Sequence, residues 1–218
     1  AKSFVNAMVG IMVRDGKIDI YAKTGLVEWE GDERNNITLN DLMQMQSGLK
    51  WNEDYGNRSD VTVMLHCESD MSRFALDQPM EYPAGTKWYY SSGTTNIVSY
   101  ILRKKFDNDT QYYQFIHNEL FNKTGIRNAV LEVDPEGTLI GSSYLYLTAR
   151  DYARFALLYQ NDGVFNGERI LPVGWVDYSR TPASASNGEY GSFFWLNRGK
   201  SLPSAPEDMY MCVGHDGQ

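Results

Sequence analysis

A chain of 218 residues, 42% hydrophobic and 13% aromatic, can bury roughly 70% of its unfolded surface; its Tyr and Trp content requires a packed core or a lined cleft and excludes disorder. The formal net charge of −8 repels a phosphate backbone, and the longest basic run, Arg103-Lys104-Lys105, falls at an expected helix end, so the composition argues against nucleic acid as a partner. Two distant cysteines, Cys67 and Cys212, and three scattered histidines, His66, His117 and His215, suggest neither a disulfide framework nor a metal site, and no run of about 18 apolar residues offers a spanning helix.

In chain order, Phe4, Val5, Met8, Val9, Ile11 and Met12 recur at helical spacing until Asp15-Gly16, which predicts a mostly buried first helix. No capping residue opens it, so the helix is expected to begin upstream of Ala1, where any signal segment is also expected. Thr38-Leu39-Asn40-Asp41 reads as a capping box before a short helix through Gln46, closed by Gly48. Helices are predicted over Asn96 to Lys105 and Gln111 to Phe121. A second box at Thr148-Ala149-Arg150-Asp151 opens another helix, which ends before Asp162-Gly163. Pro182 to Gly188 reads as a loop. Tyr190 to Leu196 and Met209 to Val213 are aromatic and β-branched runs that read as strands.

Three segments carry chemistry. A lysine three positions after a serine on a helix shares its face and eases its deprotonation; with Lys2 as that lysine, the serine falls two residues before Ala1. Trp88-Tyr89-Tyr90-Ser91-Ser92-Gly93 places a phenol before a helix, where a nearby ammonium would favour the phenolate and let Tyr90 act as a base. In Gly214-His215-Asp216-Gly217-Gln218, glycine permits close approach of substrate to the backbone, and the Gln218 N–H is a candidate oxyanion donor. The nucleophile elbow Gly-x-Ser-x-Gly occurs nowhere, which disfavours a Ser-His-Asp enzyme built on His215.

The order of Lys2, Tyr90-Ser91-Ser92 and His215-Asp216-Gly217 resembles the three motifs of the β-lactamase and penicillin-binding serine hydrolases: Ser-x-x-Lys, Tyr-x-Asn or Tyr-x-Ser, and Lys-Thr-Gly with its His-x-Gly variant. Ile37 to Leu49, Pro83-Ala84-Gly85-Thr86 and Gly141-Ser142-Ser143-Tyr144 are similar to supporting stretches of the family. Asp162 to Pro172 with Gly174-Trp175-Val176 resembles the class C-like branch that includes 6-aminohexanoate-dimer hydrolases and related esterases.

The resemblance implies an α/β (α+β) fold in which an antiparallel sheet is covered by helices beside a mainly helical lobe. The expected layout is a single catalytic domain over residues 1–218, truncated at both ends, with the lobe near 17–140 and the sheet part near 141–218 packing with helix 1–15. It implies catalytic roles for Lys2, Tyr90 and Gln218, and substrate-binding roles for Ser92, His215 and Gly217. The expected reaction is cleavage of a small-molecule ester, amide or peptide through an acyl-enzyme, with no metal or other cofactor. His215 in place of Lys and Ser92 in place of Asn point away from β-lactams. A D-amino-acid peptidase and a non-catalytic sensor relative are the alternatives.

Overall fold

The computed structural model of the protein describes residues 1–215. Helix α1 (Lys2–Arg14) is apolar almost all round, and Phe4, Val5, Ala7, Met8, Val9, Ile11 and Met12 are essentially inaccessible. It is therefore a core helix, and it stops at Asp15 and the left-handed Gly16, as the sequence predicts.

The first capping box forms as expected: Thr38 accepts from the Asp41 N–H and Asp41 accepts from the Thr38 N–H, opening the short helix α2 (Leu39–Met43). Two helices that periodicity did not reveal follow. Ser59 and Thr62 cap α3 (Asp60–Cys67), and Asp70 caps α4 (Met71–Leu76). Helix α5 (Ser92–Arg103) packs against α1, α2, α3 and α4 and is the hub of the fold. It starts earlier than predicted, because Ser91 accepts from the Thr94 N–H and so caps it. Gly93 is no breaker there: a Cβ would lie 2.6 Å from the Trp51 ring, so this position needs hydrogen alone.

The helix expected over Gln111 to Phe121 is divided. Helix α6 (Asp109–Ile116) runs into a π turn at His117–Phe121 and then α7 (Asn122–Thr124), which ends on left-handed Gly125. Helix α8 (Ala149–Gln160) begins at the predicted Thr148 cap, and a short α9 (Trp175–Ser179) follows Gly174.

The described strands form three antiparallel ribbons: β1 (Val130–Leu131) with β2 (Leu145–Tyr146), β3 (Val164–Phe165) with β4 (Glu168–Arg169), and β5 (Trp195–Leu196) with β6 (Tyr210–Met211). Mixed helices and antiparallel pairing agree with the expected fold class. The run from Tyr190 to Leu196 is, however, a strand only at β5. Its first part is a tight turn in which the Gly191 N–H donates to the Phe194 carbonyl and Phe193 takes a φ of 59°. Ladder pairing of the last run is likewise limited to Tyr210 and Met211. Cys67 and Cys212 are unbridged, and among the described residues no helix is long and apolar enough to cross a membrane.

Candidate active site

Two polar residues inside the apolar α1 lock it to the turn before β5. Ser3 Oγ donates to the Phe193 carbonyl at 2.7 Å, and Asn6 Nδ2 donates to the Ser192 carbonyl at 2.8 Å. Asn6 Oδ1 accepts from the Tyr159 hydroxyl at 2.5 Å, Trp175 Nε1 at 2.9 Å and Ser179 Oγ at 3.1 Å, so this buried amide joins α1 to α8 and α9. A fully paired buried amide orients a helix where apolar packing alone would let it slide.

Lys2, one turn before Asn6, is thereby aimed at the start of α5. Its Nζ donates to the Ser142 carbonyl at 3.0 Å and to Ser92 Oγ at 3.3 Å, and lies 4.6 Å from the centroid of the Tyr90 ring. The Ser142 carbonyl is presented by a close approach: the Ser142 N–H donates to Asn96 Oδ1 on α5, and a Cβ on Gly141 would come within 2.6 Å of Val5 Cγ2.

Tyr90 sits on the extended segment ahead of α5. The Pro83-to-Thr86 turn leads into it, with the Gly85 N–H on the Gln46 carbonyl and the Tyr89 N–H on the Met45 carbonyl. The Tyr90 ring stacks on Trp195 at 5.1 Å and meets Tyr190 edge-on at 5.7 Å, so β5 and its turn supply an aromatic wall. Lys2, Tyr90 and Ser92, singled out from sequence positions far apart, thus converge.

The structure adds residues that sequence reasoning missed. Ser92 Oγ donates to Glu53 Oε1 at 2.6 Å, and the Ser92 N–H donates to Glu53 Oε2 at 2.8 Å. The same carboxylate accepts from Trp51 Nε1 at 2.5 Å and from the Tyr55 hydroxyl at 3.2 Å. Tyr55 Oη is also 3.4 Å from Ser92 Oγ. Burial, reinforced by the Glu53 charge, pushes the Tyr55 phenol well above its ordinary range and keeps it protonated. Trp51, Glu53 and Tyr55 belong to a loop without periodicity. The one available signal was the alternation of aromatic and acidic residues in Trp51-Asn52-Glu53-Asp54-Tyr55.

His215, the one described residue of the third motif, lies with its ring 4.6 Å from that of Tyr55 and so borders the same cluster. Gly217 and Gln218 lie outside the described residues. Among the described residues no group of three or more His, Cys, Asp or Glu is placed to hold a metal. An open hollow of about 790 Å³ beside Arg127, Arg150 and Arg154 shares no residue with the cluster. One ammonium, one carboxylate, two phenols and a hydroxyl in mutual contact are equipped for proton transfer at a neighbouring atom.

The fold is that of the β-lactamase and penicillin-binding class. A family profile described as Beta-lactamase matches residues 1–218, and the chain belongs to that family. It is 26% identical over 191 residues to a 6-aminohexanoate-dimer hydrolase of Paenarthrobacter ureafaciens, an alignment covering 81% of this chain and 48% of the relative. A solved structure provisionally described as a 6-aminohexanoate-dimer hydrolase from Bacillus anthracis superposes with a TM-score of 0.81 at 20% identity, covering 98% of this chain and 60% of the other. A penicillin-binding protein from Bacillus halodurans gives a TM-score of 0.68 at 13% identity, over 89% of this chain and 68% of its own. The chain therefore spans about half the length of the curated relative it matches.

Proposed function

We propose that the full-length protein is a serine hydrolase that cleaves an amide or ester bond through an acyl-enzyme. The observation that carries this reading is Lys2, whose ammonium contacts both Ser92 and the face of Tyr90. The nucleophile is a serine two residues before Ala1, one turn from Lys2 on the same helical face. Tyr90 takes the serine proton as the hydroxyl attacks the carbonyl and returns it to the leaving group. It then activates the water that hydrolyses the acyl-enzyme. The Lys2 ammonium, 4.6 Å from the centroid of the ring, is the cationic partner of this tyrosine. Tyr55, held protonated, is unsuited to act as the base.

The oxyanion is received by the serine's own N–H and that of Gln218, while Ser92, His215 and Gly217 face the substrate. On this reading the cleft lies between the mainly helical part, near residues 17–140, and the part from about residue 141 that packs with α1. With His215 and Ser92 in place of the lysine and asparagine of β-lactam-active relatives, small linear esters and amides are the preferred substrates. Intact mass of the full-length protein after a fluorophosphonate probe tests the class. A single adduct on the serine three positions before Lys2 is expected, and an unmodified mass overturns the reading.

A further inference from the structure

We propose that Glu53 is a positioning residue of this site: acting through the Ser92 hydroxyl, its carboxylate holds the Lys2 side chain over Tyr90 and serves as the counter-charge of the Lys2 ammonium. The inference rests on the roles given above to Lys2 and Tyr90. Its basis is the direction of the hydrogen bonds. A carboxylate has no proton to give, so the 2.6 Å contact uses the single proton of Ser92 Oγ, and that oxygen meets the Lys2 ammonium with a lone pair. One hydroxyl therefore bridges the Lys2 ammonium and the Glu53 carboxylate, and the two charged groups lie within about 6 Å of each other. The other hydrogen bond of Lys2 goes to the neutral Ser142 carbonyl.

Glu53 is itself fixed. Its Oε2 takes the Ser92 N–H in the first turn of α5, where the helix dipole favours an anion, and the Trp51 indole N–H; its Oε1 takes the Ser92 and Tyr55 hydroxyls. Four donors on one carboxylate specify a single rotamer, and through it a single position of the Ser92 hydroxyl. The other titratable groups facing this cluster are Tyr55, Tyr90, Tyr190 and His215, the last through its tilted ring contact with Tyr55.

Removing a negative charge from such a cluster disfavours the protonated form of any titrating group within its reach. Both limbs of the pH–rate profile then move to lower pH, whereas a purely structural role changes the height of the profile and leaves its position alone. The test is the profile of kcat/KM for p-nitrophenyl acetate on the full-length wild type, Glu53→Gln and Glu53→Asp, beside titration of the Lys2 amine by competitive acetic anhydride labelling read by mass spectrometry. For Glu53→Gln we expect both limbs displaced downward, at least about a tenfold loss at the wild-type optimum, and a Lys2 titration displaced in the same direction. Glu53→Asp, which keeps the charge, restores the position of the limbs. An unmoved Lys2 titration in Glu53→Gln overturns the inference, whatever happens to the rate. Should that variant fail to fold by circular dichroism, Ser92→Ala removes the bridging hydroxyl and is judged on the same readout. If the wild type neither turns over the ester nor takes the fluorophosphonate, the hydrolase reading falls, and the labelling titration still decides the role of Glu53.

Discussion

The Lys2 ammonium lies over the face of the Tyr90 ring, 4.6 Å from its centroid, while the ring stacks on Trp195. A cation at that position is attracted by the ring quadrupole. If Tyr90 is the proton carrier, Tyr90→Phe keeps the ring and its stacking but removes the function. A loss in kcat of about 10²–10⁴-fold is expected in the full-length protein. On the proposed assignment His215 faces substrate, so His215→Gln is expected to act chiefly on KM. Steady-state kinetics of both variants, with circular dichroism as the folding control, check this. Near-normal kcat in Tyr90→Phe with abolished kcat in His215→Gln would instead identify the imidazole as the base.

Substrate choice follows from the same cluster. The hydroxyl of Ser92 is already engaged by Lys2 and Glu53, and the His215 ring packs, tilted, against Tyr55, so neither provides the amide or the fixed ammonium expected for holding a β-lactam. A short-chain p-nitrophenyl ester is expected to be hydrolysed with a higher kcat/KM than nitrocefin. The reverse order would show that these two replacements do not set specificity.

Asn6 predicts a stability effect distinct from catalysis. Asn6→Ala leaves the Tyr159, Trp175 and Ser179 donors and the Ser192 carbonyl with one fewer partner each, in a site from which water is excluded. Unsatisfied buried groups cost about 1–3 kcal/mol each, so a loss of about 3 kcal/mol or more is expected by urea unfolding. A change below about 1 kcal/mol would mean that the pocket collapses or hydrates without penalty.

A pH effect on stability is expected at Glu119, which accepts from Arg14 at 3.0 Å and Lys123 at 2.9 Å, tying α1 to the π turn. Burial pushes its carboxyl up, but the Lys123 and Arg14 hydrogen bonds outweigh burial and hold it below the ordinary range. A carboxyl depressed in the folded state contributes stability above its unfolded value of about 4.3, and that contribution is lost as pH falls through the folded value. Glu119→Gln should therefore lower stability at neutral pH and reduce its fall below about pH 4.3. The effect is at most about 1 kcal/mol, because all three side chains are partly solvated. Urea midpoints at pH 7 and pH 3 measure it, and an equal difference between variant and wild type at both values would exclude this linkage.

Much of the fold was legible where the signal is local. The apolar stripe of α1 and its stop at Asp15-Gly16, and the Thr38 and Thr148 caps, depend on residues within a turn or two of one another. Where only short-range polar capping marks an element, as with Ser59 and Asp70 before α3 and α4, periodicity is too brief to reveal it. The run from Tyr190 to Leu196 misled because its aromatic composition suits a strand, whereas hydrogen bonds from Ser3 and Asn6 hold it as a turn. Lys2, Tyr90 and Ser92 were singled out by motifs that resemble those of the family, and the motifs named the chemistry without bringing the groups together.

Their convergence depends on contacts between residues far apart in the chain. The Asn6 amide sets the register of α1, the missing Cβ of Gly141 lets the Ser142 carbonyl reach Lys2, and the aromatic wall of Trp195 and Tyr190 sets the plane of Tyr90. Glu53 shows the division most clearly: in sequence it is one acid in an irregular loop, and only folding places it on the first turn of α5, opposite Lys2. The sequence alone determined which groups are available for catalysis, because side-chain chemistry is intrinsic to each residue. Tertiary structure decided which of them meet, because hydrogen-bond direction and packing are properties of pairs that the chain order does not encode locally.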